Sequence, residues 1–263
     1  MTIINPAVQG FVPEPESSKH WSYEEHLAGS FIPYQSSDNA IDLRQYTSPR
    51  HNQITTNSCV AQSVVKALEI KRIMKHGRDA HSDLSVLSVY YLSRELMNPS
   101  NVDKDMGTFV SLACDVLRRF GVCEETDWPF DKNKIFVPPP WKAMRRAYKN
   151  KITSFYRINS KGQDRVEAII TALTAGNPVV YGTAVDKSWY SYNSGEVLKP
   201  VAEPLGYHAT VLLGWDGSNF IGENSWGTLW GDNGFYKMSP DVISGKNSAD
   251  FWIIQAGWED WDV

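Results

Sequence analysis

Three residues able to carry nucleophilic acyl transfer stand in informative settings: Cys59, His208 and Asn224. Cys59 opens a stretch with helical periodicity. First-turn N–H groups have no intrahelical partners, and the positive end of the helix dipole favours an anion. A thiol there is expected to ionise below its usual pKa near 8.5; a lone cysteine without such a setting is more often buried and inert. Six positions upstream, Gln53 can turn its side-chain N–H₂ toward the same spot. With the Cys59 backbone N–H it would form a two-donor oxyanion hole. His208, in Gly206-Tyr207-His208-Ala209-Thr210-Val211, opens a strand-like run that would hold its ring rigidly. Asn224, in Gly222-Glu223-Asn224-Ser225-Trp226-Gly227, can accept from one ring nitrogen of His208 and fix its tautomer, with Trp226 shielding that bond.

Other chemistries lack their signatures. There is no Gly-x-x-x-x-Gly-Lys phosphate loop, no Gly-x-Ser-x-Gly elbow and no His-Glu-x-x-His. His20 with His26 and His76 with His81 are not at helical ligand spacings, so these histidines are expected to be exposed and no metal site is expected. Glu124 and Glu125 follow a helix end and read as solvated.

The elements that would position these residues can be read from periodicity. Over 59–76, Val60, Ala61, Val64, Val65 and Leu68 recur at helical spacing, with Lys66, Glu69, Lys71 and Arg72 mostly on the other face. Asn57 or Ser58 is a candidate N-cap, and Gly77 a left-handed stop. Further helices are expected over 84–96, 108–120 (stopped by Gly121) and 164–175. Strand-like runs cover 179–184, 210–215, 220–223, 234–238 and 251–254, punctuated by Gly, Asn and Asp. Val137-Pro138-Pro139-Pro140 reads as a linker, and the basic run 141–151 as a solvated helix face. Helices first and strands later is the segregated α+β pattern.

Taken together, the run Asn224-Ser225-Trp226-Gly227-Thr228-Leu229-Trp230-Gly231-Asp232-Asn233-Gly234, Gln53 at its distance from Cys59, and the order Gln, Cys, His, Asn resemble the papain family of cysteine peptidases, most closely members from bacteria and their viruses. Cys-His-Asn chemistry in that family is a standard illustration of the catalytic triad's variants. The resemblance implies a two-lobed fold, a helical lobe over about 41–137 and a β-rich lobe over about 138–254, with the cleft between them. It implies Cys59 as nucleophile ion-paired with His208, Asn224 as orienter, Gln53 as oxyanion donor, and a protein or peptide substrate. It further implies that Gly107 offers its backbone to substrate, that Tyr207 and Trp226 line the site, and that Trp230 lines the leaving-group side. No cofactor is implied. The chain departs from the family at Thr56 (a disulfide cysteine there), at Asn57 (a glycine), at Val60 (an aromatic) and at Tyr207 (usually Asp or Asn).

Composition bounds the alternatives. With 263 residues, 42% of them apolar, the chain can bury a core without staples. A net charge of −4 argues against a nucleic-acid binder held by a basic face, and no run approaches the roughly 20 apolar residues of a membrane span. Three cysteines, Cys59, Cys114 and Cys123, argue against a disulfide framework and suit a reducing compartment. The N-terminus lacks a basic start followed by an apolar core, so no secretory signal is expected and the location reads as cytoplasmic or virion-associated. Three alternatives remain: an amide-ligating acyltransferase on the same residues, an idle papain-fold module in a larger assembly such as a virus particle, and a polyanion binder through 141–151. Residues 1–40 are rich in Pro, Ser and Glu and read as an irregular extension; 255–263 read as a tail. The extension carries Phe11, Val12, Trp21, Tyr23, Leu27, Phe31, Ile32 and Tyr34 as anchors. It is expected either to cover the cleft in part or to lie on the back of a lobe.

Overall fold

The computed structural model describes residues 10–15, 17, 19–27 and 40–257. The rest of the extension, with Phe31, Ile32 and Tyr34, and residues 258–263 of the tail lie outside the described residues.

The helices are α1 (Tyr23–His26), α2 (Cys59–His76), α3 (Val86–Met97), α4 (Val110–Arg119), α5 (Trp141–Ala147), α6 (Gly162–Thr174), α7 (Lys187–Tyr190) and α8 (Pro240–Ser244). The strands are β1 (Ile41–Asp42), β2 (Ser154–Ile158), β3 (Val179–Val185), β4 (Gly206–Trp215), β5 (Phe220–Glu223), β6 (Phe235–Met238) and β7 (Ser248–Gln255). Helices α2, α3 and α4 pack on one another in the N-terminal lobe. The strands form an antiparallel sheet in the order β2-β7-β3-β4-β5-β6, with β1 added to β4. The arrangement is the α+β class expected, with a helical cluster before an all-antiparallel sheet and no alternating βαβ units.

Helix α2 spans the interface between the lobes, and that overturns part of its expected amphipathicity. Val60, Ala61, Val64, Val65 and Leu68 are buried as expected, but so are Lys66 and Glu69. Their face packs against β4 rather than facing solvent. Burying charge is costly unless it is paired, and here it is paired. Lys66 Nζ lies 3.5 Å from Glu69 Oε2 and 3.4 Å from Glu223 Oε1, and it also bonds the Ser48 hydroxyl. His51 Nε2 lies 3.0 Å from Glu69 Oε2, and the surrounding charges and hydrogen bonds hold the Glu69 carboxyl well below the usual carboxylate range. Gly77 ends the helix at φ +82°, a conformation that glycine alone takes without strain.

The basic run 141–151 forms α5 and one following helical turn, with Trp141 and Tyr148 exposed. Strand β2 was not legible in the sequence. It pairs with β7 on one side, and on the other the N-terminal segment adds Ser22 beside Arg157, whose N–H donates to Trp21 O at 2.9 Å. Glu124 is exposed as expected; Glu125 is not. It is half-buried, accepts the Phe130 N–H at 2.6 Å, and burial pushes its carboxyl up to about 7.

Candidate active site

The N-terminus of α2, the start of β4 and the loop after β5 converge. Ser58 occupies the N-cap of α2, yet its side chain makes no capping bond to the helix. Its hydroxyl instead pairs with Thr56 Oγ1 at 2.8 Å and receives Gln62 Nε2 at 3.2 Å. The expected N-cap role therefore fails, and the first-turn N–H groups around Cys59 are left without a side-chain acceptor from the cap. Asn57 serves differently again: its N–H donates to Asp105 Oδ1 at 2.9 Å and its Nδ2 to Asp105 O at 3.0 Å, pinning the loop before Cys59 to the 105–108 segment.

His208 is fully buried on β4, and its Nε2 lies 2.7 Å from Asn224 Oδ1. The same oxygen accepts the Ser225 N–H at 2.7 Å, which identifies it as the amide oxygen. An oxygen can only accept, so Nε2 carries the proton and Nδ1 is the unprotonated ring nitrogen of neutral His208. Nδ1 has no hydrogen-bond partner among the described residues. Trp226 sits 4.9 Å from the His208 ring and stacks on Tyr190 at 5.3 Å. The residue after His208 touches the thiol directly: the Ala209 N–H points at Cys59 Sγ from 3.4 Å.

Gln53 is brought to the same place by pairing across the lobes. Its N–H donates to Ser225 O at 2.9 Å, and Gly227 N–H donates to His51 O at 3.0 Å. Its amide is oriented at both ends, with Nε2 donating to Thr56 O at 2.8 Å and Oε1 accepting from Ser225 Oγ at 2.8 Å.

The expectation of a low-pKa thiolate does not hold for this conformation. Cys59 has no exposed surface, because Gly10 lies over it. A methyl group placed on Gly10 would fall 2.6 Å from Cys59 Sγ and 2.5 Å from Asn57 O. Burial pushes the thiol up to about 12 against the help of nearby N–H donors, and burial pushes His208 down to about 4 against its bond to Asn224. Both favour the neutral forms, since removing water costs a charged group more than a helix terminus returns. The covered site therefore holds a neutral thiol beside a neutral imidazole.

The remaining sequence candidates fall around this centre. Tyr207 is partly exposed next to His208 on β4. Trp230 is buried, donates its Nε1–H to Trp189 O at 2.6 Å, and backs Trp226 at 5.4 Å. Gly107 precedes the residue that the N-terminal segment pairs with: Thr108 N–H donates to Gly10 O and Val12 N–H to Thr108 O, each at 3.2 Å. Sequence reasoning missed Trp189, which meets both His208 and Trp226 edge-on. It also missed Gly182 on β3, where a Cβ would overlap the Phe11 ring. A glycine inside a strand otherwise rich in large residues was the available signal.

Glu69, His81 and Asp83 bring three ligand-type atoms within 4.8 Å of one another. The Glu69 oxygens are committed to Leu84 N–H, Ser48 and His51, with Lys66 beside them, so the cluster reads as an ion network. The expectation of exposed histidines fails at His81, whose side chain is buried next to Asp83, and at His20, which is half-buried between Glu14 and Trp252. All three cysteines are buried and free. Among the described residues no helix is long and apolar enough to cross a membrane.

A profile of papain family cysteine proteases matches residues 37–250. An uncharacterised peptidase C1-like protein of Acanthamoeba polyphaga mimivirus is 34% identical over 235 residues, covering 83% of this chain and 75% of that protein. A cathepsin L-like proteinase of Fasciola hepatica is 24% identical over 222 residues, and the match covers 79% of this chain and 63% of the proteinase. Among solved structures, xylellain, a cysteine protease from Xylella fastidiosa, superposes with a TM-score of 0.79 at 25% identity, covering 95% of this chain and 97% of xylellain. The chain belongs to the papain family of cysteine proteases. It is a cysteine peptidase, a hydrolase acting on peptide bonds.

Proposed function

We propose that the peptidase acts through Cys59, with His208 as its base and acid, Asn224 as the residue that orients His208, and Gln53 with the Cys59 N–H as oxyanion donors. The observation that carries this reading is the His208–Asn224 bond. It commits Nε2 as a donor and leaves Nδ1 to accept the thiol proton.

When solvent or substrate replaces Gly10, the burial that holds Cys59 and His208 neutral is relieved. The proton then passes from Cys59 Sγ to His208 Nδ1, giving a thiolate at the helix terminus beside an imidazolium. The thiolate adds to the carbonyl carbon of the scissile peptide, and the oxyanion takes hydrogen bonds from Gln53 Nε2 and the Cys59 N–H. His208 returns the proton to the leaving amine as the C–N bond breaks. It then removes a proton from water, which attacks the thioester and releases the acid and Cys59. Each step uses only groups of this chain and water.

The reading is tested by treating the protein with a thiol-directed peptide epoxide and locating the adduct by mass spectrometry. An adduct on Cys59, lost in His208→Ala, is expected. Labelling of Cys114 or Cys123 instead, or labelling of Cys59 indifferent to His208, would overturn it.

A further inference from the structure

We propose that the chain carries, apart from its cleft, a binding surface for single-stranded nucleic acid: a band of exposed aromatic rings and cations that runs from Trp21 past the end of α4 to α5.

The whole chain has a net charge of −4, yet residues 141–151 hold five bases and no acid. Its charge is segregated, and a basic face on an acidic protein attracts phosphates locally. On α5 and the turn after it, Ala143, Ala147 and Asn150 are buried, at spacings of four and three, so that face meets the body. The other face presents Trp141, Arg145, Tyr148 and Lys149, all exposed. Trp141 is 67% exposed and Tyr148 54%, with Lys151 Nζ 4.6 Å from the Tyr148 ring centre. Arg146 is paired with Asp127, but among the described residues no ion pair engages Lys142, Arg145, Lys149 or Lys151.

Helix α4 extends this face. Its last residues, Arg118 and Arg119, share the single carboxylate of Asp115, and Phe120 beyond them is exposed. The join to α5 is tight: a methyl group placed on Gly121 would fall 2.0 Å from Ala147 O and 3.1 Å from Lys151 Cγ. On the other flank, Arg118 lines a groove of about 420 Å³ together with Lys19, Trp21 and Phe155. Two rings and two cations thus surround one concavity, and Trp21 is half exposed to it.

Rings among cations suit a strand whose bases are unpaired. Each base offers a flat face to an aromatic side chain, and its phosphate meets a neighbouring Lys or Arg. In a duplex those faces are stacked on one another, so the rings favour the single strand. A bilayer is met best by a continuous apolar face, whereas these rings are separated by cations and Trp21 lines a groove. An acidic peptide would satisfy the cations and leave the rings without a planar partner. Helix α4 begins at Val110, three residues after Gly107, and runs about 15 Å to Arg119. The band lies beyond that far end, so a bound strand leaves the cleft open.

The test uses the full chain and a fluorescein-labelled oligothymidylate of about 15 nucleotides. Binding is read by anisotropy at about 50 and about 200 mM KCl. Binding at the lower salt is expected, weakened about tenfold or more at the higher. Trp21→Ala and Tyr148→Ala should each weaken it about fivefold or more. Arg118→Glu should weaken it and flatten the salt dependence. Melting temperature and peptide hydrolysis should be those of the parent in all three, since none of these residues touches the cleft. Four results overturn the proposal. One is no binding at the lower salt. A second is full affinity in both ring variants, with heparin competing equally, which would mean attraction to any polyanion. A third is preference for a duplex of the same length. The last is binding to phosphatidylserine vesicles without binding to the oligonucleotide, which would assign the band to a membrane surface.

Discussion

Lys66 Nζ lies 3.4 Å from Glu223 Oε1, tying the helix that opens at Cys59 to the strand that ends one residue before Asn224. Arg50 reaches the same carboxylate at 3.6 Å, while Lys66 also faces Glu69 at 3.5 Å. A single buried ammonium thus serves two buried carboxylates at the seam between the lobes.

Removing that ammonium strands two anions. Lys66→Met is expected to lower unfolding free energy by about 3–5 kcal/mol, the range for breaking a buried pair from one side. Urea unfolding measures it. A loss under about 1 kcal/mol would mean that Arg50 and His51 suffice for both carboxylates.

Asn224 holds His208 without touching the reacting atoms. Asn224→Ala is expected to lower kcat by about 10²–10⁴-fold with a much smaller change in KM, because nucleophile and oxyanion donors remain. Cys59→Ala should leave no measurable turnover. Steady-state kinetics on one fluorogenic peptide separates the two variants, and an unchanged kcat in Asn224→Ala would assign the orienting role elsewhere.

Burial of His208 makes the covered protein acid-sensitive. Its imidazole is pushed from 6.5 down to about 4, so the unfolded chain binds more protons between those values. The stability it contributes is full above pH 6.5 and is lost as pH falls toward 4, reaching roughly 2 kcal/mol of loss at pH 5. Asp250, pushed up to about 6 chiefly by burial, acts with the opposite sign, because the folded protein then holds its proton more tightly than the unfolded chain. Comparing His208→Gln with the parent cancels that contribution. The pH 7 to pH 5 drop in unfolding free energy should be smaller in the variant by that amount; parallel curves would show that His208 is not desolvated.

Thiol chemistry should follow burial. Cys59, Cys114 and Cys123 are all buried and unbridged. Alkylation after denaturation without reductant should therefore count three thiols by mass, and reductant should not change the melting temperature. A count of one would reveal a bridge. In the native full chain, alkylation of Cys59 at pH 6 should be slow, since burial beneath Gly10 raises its thiol pKa.

Local pattern was enough to place α2, whose apolar spacing and Gly77 stop bound it to residues 59–76, and to pick out Cys59, Gln53, His208 and Asn224, whose types and order carry the family's chemistry. What lies on top of a residue is a different kind of information. The environment of Cys59 depends on Gly10, 49 positions away, and that of Lys66 on Glu223 at the far side of the seam. Periodicity along one element assigns a face but not the body packed against it, so it put Lys66 and Glu69 toward solvent and the Cys59 thiol toward ionisation. Desolvation is set by every atom within a few ångströms, whatever its distance along the chain. For that reason the candidate reacting groups could be picked out from their order, while the burial of Cys59 beneath Gly10 and the seating of the Phe11 ring against Gly182 emerged only once the chain was folded.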